Sequence, residues 1–402
     1  MKTAQLLERE KVGYQKVDPP CPYFGTCGGC SLQDLNYADQ LALKQERLHR
    51  AFAPFAVTSP IELIGMDDPW RYRNKAELTF GESDGQIVLG YHVAGSFRRI
   101  VNLDDCLLLP EPVTRMLGDV RRLAAETGLR AYRPQSHHGF FRYLIVRSSR
   151  RTGDILVCLV TAPGSREPID SFARELVRRH PAISSLYWGL STRLADVALP
   201  EELHLIHGAT YLEDQVGPFR VALHPLSFLQ PNSLQAERMY EWLCRFLPGG
   251  VHRTAWDLYC GMGLAAFYLS TRCERVYGIE VEPRSIELGR HNAVLNGLSN
   301  IEFRQGRVEA LLEDRRFWLQ EAKPDVVVVD PPRAGLHPRA LASIAAARPQ
   351  VIAYLSCNVH SLIHDLNQLQ SGFPRYRIAT VQAVDMFPQT NHVEVFTLLE
   401  RT

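Results

Sequence analysis

The stretch Asp325-Val326-Val327-Val328-Val329-Asp330 decides the fold. Four consecutive valines leave no polar face, which suits a central strand of a parallel sheet covered by helices on both sides. Around it, from Pro231 onward, strands and helices alternate. Strands are expected over 253–258, 275–280, 301–304, 325–329 and 351–355, with two more near 376–384 and 392–399. Helices are expected over 232–248, 262–271, 283–296, 307–320, 337–346 and 358–370. The alternation predicts a doubly wound α/β sheet of the Rossmann-like kind, with its ligand crevice at the carboxyl ends of the strands. Upstream, residues 35–52 read as an amphipathic helix. Short strand-like runs then dominate from about residue 75 to 222 (76–80, 87–91, 143–147, 155–160, 184–188 and 219–223), broken by helical patterns near 112–127 and 166–179. That texture predicts an α+β domain on an antiparallel sheet. The expected division is a tail over 1–19, an α+β domain over 20–222 and the α/β domain over 223–402.

The chain has 402 residues, 46% hydrophobic and 22% charged, an ordinary balance for a globular protein of two or three domains. No run approaches the 18 apolar residues of a membrane span, and Met1 to Lys16 holds no apolar signal core, so a cytoplasmic, reducing setting is expected. Lys plus Arg is 45 against 44 for Asp plus Glu, a net charge of +1 that argues against nucleic acid held by bulk charge. The layout is uneven, however. No acid occurs between Glu126 and Asp154, where Arg130, Arg133, Arg142, Arg147, Arg150 and Arg151 interleave with Tyr132, Phe140, Phe141 and Tyr143. Trp70-Arg-Tyr-Arg-Asn-Lys75 is a second such cluster. Arginine beside aromatics suits phosphate contact and stacking on unpaired bases.

Nine cysteines in a reducing compartment point to metal or catalysis rather than disulfides. Three lie within ten residues, Cys21-x5-Cys27-x2-Cys30, among glycines that let the backbone wrap. Cys106, ahead of Pro110, is the best candidate for a fourth ligand. Spacing alone does not separate tetrahedral zinc from an iron–sulfur cluster. Cys158, Cys244 and Cys273 sit in apolar or helical patterns and read as small core residues.

The first α/β strand runs into Trp256-Asp-Leu-Tyr-Cys-Gly-Met-Gly263, where glycines let a ligand approach the backbone as strand turns into helix. Glu280 ends the second strand, 19 residues after Gly261, and can accept hydrogen bonds from both ribose hydroxyls of an adenosine. The full dinucleotide phosphate fingerprint is absent, which favours S-adenosylmethionine. Three groups then fall where such a crevice would open: Asp330 at the end of one strand in Asp330-Pro-Pro-Arg333, Cys357 at the end of the next in Ser356-Cys-Asn358, and Glu394 inside the apolar run of the last segment, in His392-Val-Glu394. Burial between Val393 and Val395 is expected to raise the carboxyl of Glu394 toward a general base. The helix after Cys357 is expected to favour its thiolate. A thiolate adding to C6 of a pyrimidine makes C5 enolate-like, so that C5 takes a methyl from a sulfonium. A base then removes the C5 proton and the thiol leaves. Cys357 fits the nucleophile and Glu394 the base. Asp330 is placed to hold the uracil edge or the methyl-donor side.

Taken with Tyr72-Arg-Asn-Lys-Ala76, Phe228-Leu-Gln-Pro-Asn232 and Asp257-Leu-Tyr-Cys-Gly261, these motifs resemble the bacterial and archaeal RNA uracil-C5-methyltransferases over most of the chain. The resemblance implies an S-adenosylmethionine-dependent enzyme, with cofactor contacts from Gln230, Tyr259, Glu280 and Asp330 beside the Gly261 loop. It implies a [4Fe–4S] cluster, rather than zinc, on Cys21, Cys27, Cys30 and Cys106, carried by an RNA-binding α+β domain. It assigns the nucleophile to Cys357 and the base to Glu394. Long members begin with a β-barrel module, whereas 20 residues precede Cys21 here. The chain is therefore most similar to the short, cluster-bearing members acting on 23S ribosomal RNA as monomers. The same reaction on the T-loop of tRNA is the first alternative, and a non-catalytic cluster-bearing RNA-binding or assembly factor is the second.

Overall fold

The computed structural model describes residues 10–57, 59–314, 316, 318, 322–372 and 375–402. Near the N-terminus, α1 (Tyr37–Phe52) begins at Asn36, whose side chain accepts the Asp39 N–H. It leads to β1 (Glu62–Ile64). The central region follows, with β2 (Lys75–Ser83), β3 (Gln86–Gly90), α2 (Glu111–Glu126), β4 (Phe141–Ser148), β5 (Ile155–Thr161), α3 (Glu167–Arg179), β6 (Ile183–Leu190) and β7 (Glu202–Gly208). These six strands form one sheet in the order β3-β2-β4-β5-β6-β7. The sheet is not wholly antiparallel as expected: β5 and β6 run parallel, because α3 returns the chain to the edge from which it left. Strand β7 was not anticipated. Phe219–Leu223 forms β9, paired only with β8 (Leu212–Val216) in a separate ribbon.

The C-terminal region runs α4 (Ser233–Phe246), β10 (His252–Leu258), α5 (Leu264–Ser270), β11 (Cys273–Glu280), α6 (Pro283–Leu295), β12 (Ile301–Gln305), α7 (Val308–Leu311), β13 (Val326–Val329), α8 (Pro338–Ala347), β14 (Val351–Ser356), α9 (Val359–Ser371), β15 (Tyr376–Val384) and β16 (Glu394–Arg401). The expected helix over 307–320 is α7 alone up to residue 311. Residues 315, 317, 319 and 320 of that expectation lie outside the described residues. The sheet order is β1-β15-β16-β14-β13-β10-β11-β12, with β10 to β14 mutually parallel and β16 antiparallel to both its neighbours. The chain leaves β10 for β11 on one side and reaches β13 on the other, which opens a crevice above the carboxyl ends of β10 and β13.

The valine run behaves as its composition requires. Val326 and Val328 enter the core shared with the central sheet, while Val327 and Val329 enter the core under α8 and α9. All four are fully buried, and each contributes roughly 1.5–3 kcal/mol of transfer free energy. One grouping differs from the sequence reading. The segment 37–64 falls within the expected 20–222 domain, yet it packs on the C-terminal sheet. β1 pairs in parallel with β15, and Leu48 and Phe52 of α1 join the α8–α9 core. A buried ion pair fixes this contact: Lys44 Nζ donates to Asp385 Oδ1 at 2.6 Å, and Tyr37 Oη donates to the other carboxylate oxygen at 2.9 Å. Among the described residues, no helix is long and apolar enough to cross a membrane.

Candidate active site

The loop after β10 turns sharply. Tyr259 (φ 63°), Gly261 (φ 54°) and Gly263 (φ 86°) all hold left-handed backbone. At Tyr259, a non-glycine residue, this costs about 1–3 kcal/mol, a strain characteristic of functional loops. Gly263 is required sterically, since a Cβ there would lie 2.5 Å from the ring of Phe303. Glu280, at the tip of β11, is pinned by backbone. It accepts the Gly261 N–H at 3.1 Å with one oxygen and the Val281 and Glu282 N–H groups at 2.7 and 3.0 Å with the other. Asp257 accepts the Ala266 N–H at 2.9 Å, and burial pushes its carboxyl well above the usual range.

Three strand ends supply the side chains that the sequence reading singled out for the reaction. Asp330 leaves β13, and burial pushes its carboxyl up to about 7. Glu394 opens β16 opposite Val384 and is almost wholly buried. Burial, then the nearby Asp330 charge, raise its carboxyl well above the ordinary value, in the direction expected from its valine neighbours. Cys357 follows β14 and is half-buried. Its neighbour Asn358 caps α9, accepting the His360 N–H at 3.1 Å and donating to the Arg333 carbonyl at 2.7 Å. Helix position alone does not depress this thiol. Burial raises it, the carboxylates of Glu394 and Asp330 raise it further, and a hydrogen bond and charge from Arg333 oppose them. The balance favours the thiol form of Cys357, next to two carboxyls that burial also pushes toward their neutral form.

Gln230, Tyr259, Gly261, Glu280, Asp330, Cys357 and Glu394 all line one cleft of about 910 Å³. Tyr240, Glu77 and Tyr91, which also line it, had no role in the sequence reading. Tyr240 is buried there, its hydroxyl raised by burial and by Asp330, Asp257 and Glu394. Arg73, Lys75, Glu77 and Tyr91 reach the cleft from the central region. The Tyr72–Ala76 motif was visible, and the structure supplies its task. Asn74 Nδ2 donates to the Gln230 carbonyl (2.8 Å) and to Ser233 Oγ (2.9 Å), while Tyr72 Oη donates to the Pro388 carbonyl (3.0 Å). The motif clamps the central region to the walls of the cleft.

Cys21, Cys27, Cys30 and Cys106 line a second, smaller cavity of about 270 Å³, which shares Arg73 and Tyr91 with the cleft. The thiols are near enough to act on one another: Cys106 and Cys27 both raise Cys30, after the larger effect of burial. Among the described residues, no three His, Cys, Asp or Glu side chains gather closely enough to hold a metal ion. Cys158 and Cys273 are buried in the core, and Cys244 faces the Tyr268 carbonyl.

The arginine block is largely spoken for. Arg130 and Arg133 both pair with Glu82. Arg142 is buried and donates to the carbonyls of Ser191, Arg193 and Ala195. Arg147 is fully buried against the Pro225 carbonyl. Phe140, Phe141 and Tyr143 belong to the core. Of the arginines expected to contact RNA, Arg130, Arg133, Arg150 and Arg151 are exposed, the first two paired with Glu82. In the second cluster, Arg71 forms a two-pronged pair with Asp105 at 2.7 and 2.8 Å.

Comparison with known proteins agrees with this geometry. Residues 212–402 match the family profile described as tRNA (uracil-5-)-methyltransferase. An uncharacterized RNA methyltransferase of Oceanobacillus iheyensis is 34% identical over 97% of this chain and 84% of its own. One from Caldanaerobacter subterraneus subsp. tengcongensis is 35% identical over 99% of this chain and 87% of its own. Among solved structures, the Pyrococcus abyssi tRNA (uracil-54, C5)-methyltransferase in complex with S-adenosyl-L-homocysteine is similar at 27% identity. It superposes with a TM-score of 0.76 over 93% of this chain and 86% of that one.

Proposed function

The chain belongs to the RNA uracil-5-methyltransferase family, and we propose that it methylates C5 of one uridine in 23S ribosomal RNA through a covalent adduct on Cys357. Methyl transfer from S-adenosylmethionine to uracil C5 in RNA is its class of activity. The observation that carries the proposal is a single cleft lined by a thiol, two buried carboxyls and Glu280 at the tip of β11. S-adenosylmethionine supplies an electrophilic methyl on a sulfonium. Glu280, its oxygens oriented by three N–H groups, keeps lone pairs for the ribose hydroxyls. Gln230, Tyr259, Gly261 and Asp330 complete the cofactor wall. Cys357 Sγ bonds to C6 of the uracil as its proton passes to a neighbouring carboxylate, and C5 gains the electron density that accepts the methyl. Glu394 then takes the C5 proton, and the electron pair released expels Cys357. The raised carboxyl of Glu394 suits it to accept that proton.

Cys21, Cys27, Cys30 and Cys106 are assigned to a [4Fe–4S] cluster. The support is chemical: four thiols from two loops face one cavity, with the Arg73 guanidinium beside them to offset thiolate charge. Bound there, the cluster would cross-link the two loops. We assign catalysis to residues 223–402 and cluster and RNA contacts to 20–222, in a cytoplasmic monomer. The T-loop uridine of tRNA is the second reading, favoured by the likeness to the Pyrococcus tRNA enzyme. Transfer of labelled methyl to unmodified 23S rRNA and tRNA transcripts tests both. Incorporation into rRNA with 5-methyluridine as product is expected. Incorporation into tRNA alone would replace the first reading with the second, and incorporation into neither would overturn both.

A further inference from the structure

The reaction cleft does not end the polar surface of the central sheet. Along β2, Ala76, Leu78 and Phe80 enter the core, so Lys75, Glu77, Thr79 and Gly81 share the opposite face. Lys75 and Glu77 line the cleft, while Thr79 and Gly81 line a separate cavity of about 200 Å³. At ~3.3 Å per residue, Glu77 and Gly81 stand about 13 Å apart. Both cavities therefore open on one strand face, a short step from each other.

The rim of the second cavity is unusual. Phe97 stands 89% exposed at the tip of a turn, between Ser96 and the exposed Arg98 and Arg99. The turn is held rigidly. Ser96 Oγ accepts both the Arg98 and the Arg99 N–H at 3.2 Å, and Val93 N–H donates to the Arg99 carbonyl at 2.8 Å. Across the cavity, the guanidinium of Arg142 lies 4.2 Å from the ring centre of Tyr132. The acids that line the same cavity are engaged: Glu82 by Arg130 and Arg133, and Asp196 by the Tyr143 hydroxyl. Aromatic faces, outward guanidiniums and engaged acids form the surface that an unpaired nucleotide recognises.

We propose that the Phe97 turn and this cavity form a second RNA-contact site, which takes one unpaired nucleotide near the target uridine. Its base stacks on Phe97, and its phosphate lies against Arg98 and Arg99. The site rests on RNA being the substrate, and it gives the cysteine loop a task. Gly28 N–H donates to the His92 carbonyl (3.1 Å), Ala94 N–H donates to the Thr26 carbonyl (2.8 Å), and Cys27 pairs with Val93. The loop of the first three cysteines thus braces the base of the turn.

The test uses whichever of the 23S rRNA and tRNA transcripts the wild-type chain methylates. Phe97→Ala is expected to raise KM for RNA about tenfold, and to change KM more than kcat. Tenfold corresponds to about 1.4 kcal/mol, within the range of base–aromatic stacking. Phe97→Trp is expected to restore KM, and RNA is expected to quench its indole fluorescence. Wild-type KM and RNA affinity in Phe97→Ala would overturn the site, as would a fluorescence indifferent to RNA in Phe97→Trp. Should the wild type methylate neither RNA, the failure lies in the catalytic reading. Filter binding of the 23S transcript to the wild type and Phe97→Ala then decides the site by itself, equal affinities overturning it.

Discussion

The reaction cleft takes its walls from the tips of five strands, β10, β11, β13, β14 and β16, whereas the cysteine-lined cavity beside it is walled by two loops. Arg73 and Tyr91 stand in both walls. The strand tips are fixed by a sheet whose valines and their neighbours are completely buried, so Asp330, Cys357 and Glu394 are brought together whether or not a ligand is present. The cysteine loop is held by a handful of backbone hydrogen bonds, such as Gly28 to His92 and Ala94 to Thr26. A site on a sheet edge is pre-formed, while a site on loops gains most from a cross-link that closes them.

This contrast can be broken experimentally. The largest effect belongs to Cys357→Ala, which is expected to lower methyl incorporation at least about 10³-fold, beyond detection in most assays. It should leave iron content unchanged, which elemental analysis checks. Next is Glu394→Gln, expected to cost about 10²–10⁴ in kcat, the usual worth of a general base. It should also accumulate RNA covalently joined to protein on denaturing gels, because the adduct forms but cannot eliminate. A pH profile gives a smaller change. The Asp330 carboxyl is raised to about 7, and burial, then the Asp330 charge, raise that of Glu394 well above its ordinary value. Falling pH therefore protonates the cleft well above the ordinary carboxylate range, and kcat/KM should decline below about pH 7 rather than near 4.5. The smallest effect on chemistry is expected from Cys30→Ser. It should abolish iron binding and lower Tm, yet retain measurable methyl transfer at saturating RNA. A variant that keeps its iron would break the assignment of that cavity.

The parts legible in the sequence were those dictated by local pattern. The valine run and the strand–glycine–helix passage at 256–263 specify sheet and crevice, and Asp330 and Cys357 fall at strand ends that periodicity already marks, with Glu394 inside the apolar run of the last segment. What escaped depends on distant partners. Glu62–Ile64 is too short for any periodicity to show, and its place on the sheet edge follows from β15, far along the chain. The arginine block looked like an open basic face. Yet its acids lie elsewhere, Glu82 pairing with Arg130 and Arg133, and β4 is buried along its whole length, Arg142 and Arg147 included. The direction of the Cys357 shift was likewise hidden, because it is set by burial and then by the carboxyls of Glu394 and Asp330, which tertiary packing brings beside it.

The pairing of β1 with β15 also sets a timetable for synthesis. Glu62 lies opposite Gln382, and at ribosomal speeds of about 5–20 residues per second roughly 15–60 s separate their emergence. Throughout that interval α1 and its Lys44 wait for Asp385, and Ser31 and Gln40 wait for the loop ahead of Glu394. Glu394, the proposed general base, comes into position only as the last strand docks, so a chain that ends before that strand lacks the base assigned to the reaction.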